Sequence, residues 1–267
     1  MSDGTTTAAP PLVEVVVDSG CAEIVLNRPD KLNAMNTAMV HAILAAVDRV
    51  MDEGARAIVV RGNGRAFSAG RDLSDADPAH EDGEAILHDI FNPLMQRVAD
   101  LDVPTFAAVH GACLGTGMGL AMACDIVYAA DDARLGSPFA NIGAVLDSGS
   151  HRAFLERVGP HRALELIYTG RMLSGREAEA WGLVNRSMAG ADLVRRTLDA
   201  ARKVAAGPTL AFAESKRLVR HLRSKSTDLS EVLAHEAQAQ GRASRTHDYQ
   251  EGIGAFIEKR TPTFTGS

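Results

Sequence analysis

Three stretches of the 267-residue chain combine residue types and spacing that could do chemistry. The first is Gly111-Ala112-Cys113-Leu114-Gly115-Thr116-Gly117-Met118-Gly119, which follows an apolar strand and opens a helix. Backbone N–H groups at such a helix start converge on one point and can bind an anion or a developing oxyanion. The spacing is not the dinucleotide G-x-G-x-x-G, and no Gly-Lys-Ser/Thr follows for a phosphate loop. Tight helix-to-sheet packing is the plainer account of the same glycines. The second stretch is Ala66-Phe67-Ser68-Ala69-Gly70-Arg71-Asp72-Leu73, which follows another short strand. It can bring a second set of N–H groups to the same sheet edge, and donors from two loops make an oxyanion hole. Ser68 also imitates a nucleophile elbow, but Leu73 to Pro78 is a poor start for the helix that an elbow needs. The third stretch ends an apolar run at Asp147, within Asn141 to Gly149. A desolvated carboxyl there has a raised pKa and can act as a general base, whereas a capping role for Asp147 or Ser148 at the helix starting near His151 is the structural alternative.

These stretches need elements to position them. Leu12 to Val17 and Ala22 to Leu26 read as a hairpin across Asp18-Ser19-Gly20. Thr37 to Met51 has helical spacing, Ala57 to Arg61 and Thr105 to Val109 are buried-type strands, and Ile86 to Val98 is a helix interrupted at Pro93. Helix Gly115 to Cys124 and strands Ile126 to Ala129 and Ala133 to Gly136 continue the alternation, which makes the core α/β. Beyond Gly159 the pattern is helical at 161–168, 176–181, 191–206, 209–223, 229–240 and 246–258, with Leu183 to Arg186 extended. The division expected is a flexible leader at 1–11, an α/β core at 12–206 and a helical C-terminal segment at 207–267. The apolar stripe of that last segment, including Leu218, Leu222, Leu229, Leu233 and Phe256, must cover its own core or a neighbouring subunit.

Composition narrows the partners. The chain has 28 basic and 34 acidic side chains, a net charge of −6, and 46% hydrophobic residues, so neither nucleic acid nor an anionic membrane is expected. Cys21, Cys113 and Cys124 match neither a zinc site nor a secreted disulfide framework, which suits a reducing cytoplasm. No export or anchoring segment is visible. The nine histidines are scattered without H-E-x-x-H or a Cys/His cluster, so no metal is expected. His88, beside Asp89, is the one retained as a candidate, against a solvated helix face as the bland reading.

Leu26-Asn27-Arg28-Pro29, Leu32-Asn33-Ala34-Met35, Phe67 to Leu73, and His110-Gly111 through Asp125-Ile126 together resemble the crotonase, or enoyl-CoA hydratase/isomerase, superfamily. Thr169-Gly170, Ala178, Ala180 to Val184 and Gly252 to Arg260 fit as well, so the likeness covers nearly the whole chain after the leader. The resemblance implies a core of repeated ββα units and a helical C-terminal segment that packs a homotrimer or a dimer of trimers. It also implies an acyl-CoA thioester as substrate, with CoA part of that substrate and no metal or redox cofactor. Its shared chemistry is an enolate held by two backbone N–H groups, which by position belong to Arg71 and Thr116; the family usually has glycine where Thr116 stands. Ser68, Ala69, Gly70, Asp72 and Leu73 then line the CoA path, with Gly115 and Gly117 opposite. Phe256 and Lys259 match positions that cover CoA bound to a neighbouring subunit. Phe139, Ile142, Leu146, Phe91 and Met95 are expected to form the acyl pocket.

Departures from the family pattern carry further implications. Hydratases of the family use two glutamates, and the matching positions here are Gly119 and Phe139, neither of which moves a proton. What remains is Asp147, which matches an aspartate used by dienoyl-CoA isomerases as a base and by aromatic acyl-CoA dehalogenases as a nucleophile. The text around Phe91 to Leu94, Ile142 to Gly149 and the C-terminus looks closest to isomerases of ring-epoxidised phenylacetyl-CoA. The expected activity is therefore acyl-CoA isomerisation with Asp147 as the proton-moving base. The alternatives are a hydratase drawing a second acid from Glu81, Glu84 or His88, an aspartate-nucleophile dehalogenase, a non-catalytic acyl-CoA binder and a Ser68 hydrolase.

Overall fold

A computed structural model describes residues 10–267 except 75, 78, 225 and 226; the expected leader lies almost wholly outside them. The chain opens with a hairpin of β1 (Val13–Asp18) and β2 (Cys21–Leu26), paired antiparallel. Its turn places Ser19 at φ 52° and Gly20 at φ 77°, the two successive positive φ values that match the right-handed twist of paired strands. Helix α1 (Thr37–Asp52) is capped by Asn36, whose side chain accepts from Met39 N at 3.0 Å, and it buries Met39, Val40, Ile43, Val47 and Val50 on one stripe. Strand β3 (Ala57–Gly62) and, after the helical stretch, β4 (Thr105–Val109) are apolar on both faces, as interior parallel strands are.

The segment between them is helical from 83 to 99: α2 (Gly83–Ile86), a π turn (Leu87–Phe91) and α3 (Asn92–Ala99). Pro93 does not break it. The π turn lets Asn92 N donate to Leu87 O, and Pro93, which lacks an N–H, falls in the first turn of α3 where none is needed. Next come β5 (Ala112–Leu114), α4 (Thr116–Ala123), β6 (Ile126–Ala130) and β7 (Arg134–Gly136). Helix α5 (Ser150–Thr169) is longer than periodicity indicates and kinks at Gly159, φ 78°, ahead of Pro160. β8 (Leu173–Ser174), α6 (Gly175–Ala180), β9 (Arg186–Met188) and α7 (Gly190–Ala205) complete the core, and α8 (Thr209–Ser224), α9 (Leu229–Ala243) and α10 (His247–Glu258) form the C-terminal helices.

Six strands make one sheet in the order β1-β2-β3-β4-β6-β9, parallel from β2 onward, and β5-β7-β8 make a second. The extended element expected at Leu183 to Arg186 lies further on, at Arg186–Met188. Gly182, at φ 78°, ends α6, and the N–H groups of Leu183 and Val184 both donate to Ala178 O, so these two buried side chains close the helix end instead of entering the sheet. Helix α8 is tied to the core by charge: Lys216 Nζ donates to Asp125 at 2.7 Å, and Arg217 and Arg220 both reach Asp102.

Candidate active site

Parallel strands leave their C-terminal ends on one sheet edge, and β3 and β4 deliver both glycine-rich loops there. Main-chain pairing then locks the loops together. Phe67 N donates to His110 O, Ser68 N to Ala112 O, and Leu114 N to Ser68 O at 3.0 Å. Three glycines allow this approach. A Cβ on Gly117 would lie 2.7 Å from Ser68, one on Gly70 would lie 2.7 Å from Leu114 O, and one on Gly115 would lie 3.3 Å from the Phe139 ring. Gly70, at φ 95°, also has the Thr116 nitrogen 3.5 Å from its missing Cβ position.

That geometry leaves two amides unspent. Arg71 forms a parallel bridge with Met35, in which Met35 N donates to Gly70 O and Asp72 N to Met35 O. The bridge pattern uses the groups flanking Arg71 and leaves its own N–H unpaired. Thr116 is the first residue of α4, where a helical N–H has no intrahelical acceptor. Among the described residues neither amide has a hydrogen-bond acceptor, so two donors from two loops stand beside each other at the end of a buried helix.

Asp147 reaches this edge through α4. Gly119 lies against Ser148 so closely that a Cβ at 119 would be 2.3 Å from Ser148 Cβ and 2.7 Å from Ser148 O. Ser148 and Gly149 both take positive φ, 55° and 76°, a conformation that costs a non-glycine residue about 1–3 kcal/mol and marks a constrained segment. The Asp147 side chain caps nothing. The N-cap of α5 is Gly149, without a side-chain bond, and among the described residues the Asp147 carboxylate accepts only from its neighbour Ser148 Oγ at 2.8 Å. Burial pushes the Asp147 carboxyl above its ordinary value of 3.8, against the opposing pull of the Ser148 hydroxyl and of the charges on Arg71 and His151.

The remaining candidates divide into positioning groups and exposed groups. Ser68 is fully buried; its hydroxyl donates to Asn33 O at 2.8 Å and accepts from Gly70 N, and among the described residues no helix follows directly after it as a nucleophile elbow requires. Ala69 N donates to Leu32 O. Asp72 is held at about 2 by hydrogen bonds from Ser74 and by Arg28 at 3.0 Å, which fixes the 71–74 turn. Leu73, Ile142, Phe256 and Lys259 are exposed, Phe256 by 83%. Of the side chains expected to line an acyl pocket, Phe91 lines a cavity of about 300 Å³ with Arg71, Asp72 and Glu81, whereas Met95 lines a separate one. That larger cavity, about 930 Å³, lies between α3, α4, α5 and α8 and is lined by Gly119, Ser148 and Gly149 next to Asp147.

Sequence reading alone does not find the Arg71–Glu81 pair, a bidentate contact of 2.7 and 2.5 Å. The partners are ten positions apart, a spacing with no helical or strand period to bring them together. The Arg71 hydrogen bonds hold Glu81 below the ordinary carboxylate range. His88 bonds Asp89 at 2.6 Å and stays exposed, with its pKa raised by that carboxylate.

Comparison with known proteins agrees with this architecture. The profile of the enoyl-CoA hydratase/isomerase family matches residues 17–267. A probable enoyl-CoA hydratase of Rhodobacter capsulatus is 37% identical, covering 94% of this chain and 96% of its own. The 1,2-epoxyphenylacetyl-CoA isomerase of Escherichia coli is 34% identical, covering 94% and 97%. The crystal structure of an enoyl-CoA hydratase from Bacillus anthracis superposes with a TM-score of 0.88 at 31% identity, over 96% of this chain and all of that one. The fold is the crotonase fold. The chain belongs to the enoyl-CoA hydratase/isomerase family, whose members act on acyl-CoA. Among the described residues no helix is long and apolar enough to cross a membrane.

Proposed function

We propose that the chain is an acyl-CoA isomerase. The observation that carries this reading is a single desolvated carboxyl, Asp147, whose neighbour Ser148 packs on α4, the helix that opens with the unspent Thr116 amide, while Gly119 and Phe139 offer no proton-moving group. The thioester oxygen accepts from Arg71 N–H and Thr116 N–H. The Asp147 carboxylate removes a proton from a carbon of the acyl chain, the C–H electron pair moves onto the thioester oxygen as an enolate, and the same carboxyl returns the proton to a different carbon. The step needs no cofactor beyond the CoA of the substrate. Segment 68–73 lines the CoA path, and the ring-epoxide acyl class is the one suggested by the E. coli relative.

Exposed Ile253, Phe256 and Ile257 on α10 give that helix an apolar face suited to a homotrimer or dimer of trimers, with Phe256 and Lys259 reaching a neighbour's CoA. A cytoplasmic location goes with this reading, because the three buried cysteines are free.

The test is to incubate the protein in deuterated water with unsaturated and aryl acyl-CoA thioesters, following deuterium uptake and bond migration. Uptake with migration and no added water is expected. Water addition would instead establish a hydratase, halide release a dehalogenase, and binding without any exchange a non-catalytic binder.

A further inference from the structure

Helices α8 and α9 bring three potential metal ligands together away from the site described above. His221 is on α8; Glu231 and His235 lie one turn apart on the same face of α9. Glu231 Oε1 is 4.0 Å from His221 Nε2 and 3.7 Å from His235 Nε2, and the three ligand atoms lie within 4.8 Å of one another. The two rings stand 4.4 Å apart at 59°.

These separations are too long for hydrogen bonds, so the carboxylate satisfies neither imidazole nitrogen through this contact. His221 Nε2 is buried and has no hydrogen-bond partner among the described residues. A buried ring nitrogen without a partner costs free energy unless something accepts or donates there. Ligands around a tetrahedral zinc ion, at about 2.0–2.2 Å from the metal, stand roughly 3.3 Å from one another. The two carboxylate gaps exceed this by about 0.7 and 0.4 Å, a movement within reach of the exposed Glu231 side chain, and the two imidazole nitrogens, within 4.8 Å of each other, close on the ion by ring rotation.

The geometry points to a site for a borderline divalent transition ion, Zn²⁺ in the first instance, held by His221, Glu231 and His235 with water in the fourth position. Two imidazoles and one carboxylate suit zinc and disfavour magnesium, which needs octahedral oxygen ligands. The ion satisfies His221 Nε2 and clamps α9 onto α8, whose ion pairs to Asp102 and Asp125 anchor it to the core. The three cysteines do not compete, because burial pushes their thiols well above neutral and keeps them from becoming thiolate ligands.

The full-length protein, stripped with a chelator, is titrated with Zn²⁺ and Co²⁺, with Mg²⁺ as control. One ion per chain is expected, with the strong visible absorption of four-coordinate Co²⁺, displacement of Co²⁺ by Zn²⁺, and a melting temperature that rises with Zn²⁺ concentration. His221→Ala and His235→Gln should each weaken binding by at least the ~10–100-fold that loss of even an outer partner costs. Absence of stoichiometric binding to the wild type overturns the assignment. So does undiminished affinity in both variants, since the ion would then sit elsewhere. Helical circular dichroism shows that the variants are folded, and the wild-type Co²⁺ spectrum decides coordination even where a variant is not.

Discussion

Replacing Asp147 by Asn separates a catalytic carboxyl from a structural one, because the two roles predict opposite changes in stability. The substitution preserves the side chain's shape and an oxygen to accept from Ser148 Oγ, but removes the ability to take up a proton. Loss of a positioned general base costs ~10²–10⁴ in turnover, or about 2.7–5.4 kcal/mol of barrier. The KM should change little, since binding of the thioester oxygen rests on main-chain donors. Stability runs the other way. Burial raises the Asp147 pKa in the folded chain, so ionising it costs stability. That cost is absent below the unfolded-state value, grows as pH rises towards the folded value, and is complete above it. The Asn variant escapes it at neutral pH, so its melting temperature should equal or exceed that of the wild type, with the difference closing in acid. Deuterium exchange and thermal melts on the same samples give both readouts. Turnover comparable to wild type, or activity and melting temperature falling together, would refute the assignment.

The pH dependence of kcat/KM should show an ascending limb above the ordinary aspartate value of 3.8, and that limb should vanish in Asp147→Asn. Gly70→Ala places a Cβ 2.7 Å from Leu114 O at φ 95°, so melting should show a loss of about 1–3 kcal/mol, and kinetics a ~10²–10³-fold fall in kcat as the Thr116 amide is displaced. Gly119→Glu, which restores the residue type of the family hydratases, should lower the melting temperature and yield no hydrated product, because its Cβ would lie 2.3 Å from Ser148. Glu81→Gln should leave the melting temperature almost unchanged, as expected for a partly exposed ion pair, and raise KM more than it lowers kcat by loosening the Arg71 loop.

The strands and helices that carry the site were readable because each has a local signature: apolar runs at β3 and β4, the 3.6-residue stripe of α1, glycines where chains abut. What escaped reading depends on backbone conformations or partners distant in sequence. β8, two residues long, shows no periodicity. Leu183 and Val184 look like a strand because they are apolar and branched, yet Gly182 turns them back onto the end of α6. At the site, the residue types of both oxyanion loops and of Asp147 were visible, but the positive φ of Ser148 and the Arg71–Glu81 contact were not. The paired metal ligands were hidden for the same reason, since His221 and His235 meet only when α8 and α9 pack.

The contact between Gly119 and Ser148 bears most directly on the chemistry of this chain. The resemblance to family hydratases implies a glutamate at the position of Gly119, and the Cβ of such a side chain would need the space that Ser148 fills here. Side-chain volume at 119 and the path of residues 147–149 are therefore coupled: a glycine lets the Asp147 segment close on α4, and any larger residue pushes it away. A chain that had merely lost its catalytic groups would have no need to hold Ser148 at φ 55° with a carboxyl beside it whose pKa burial raises. Strain and desolvation in adjacent residues are costs that folding alone does not require, and their coincidence at Asp147 and Ser148 favours a working base over a silent binder.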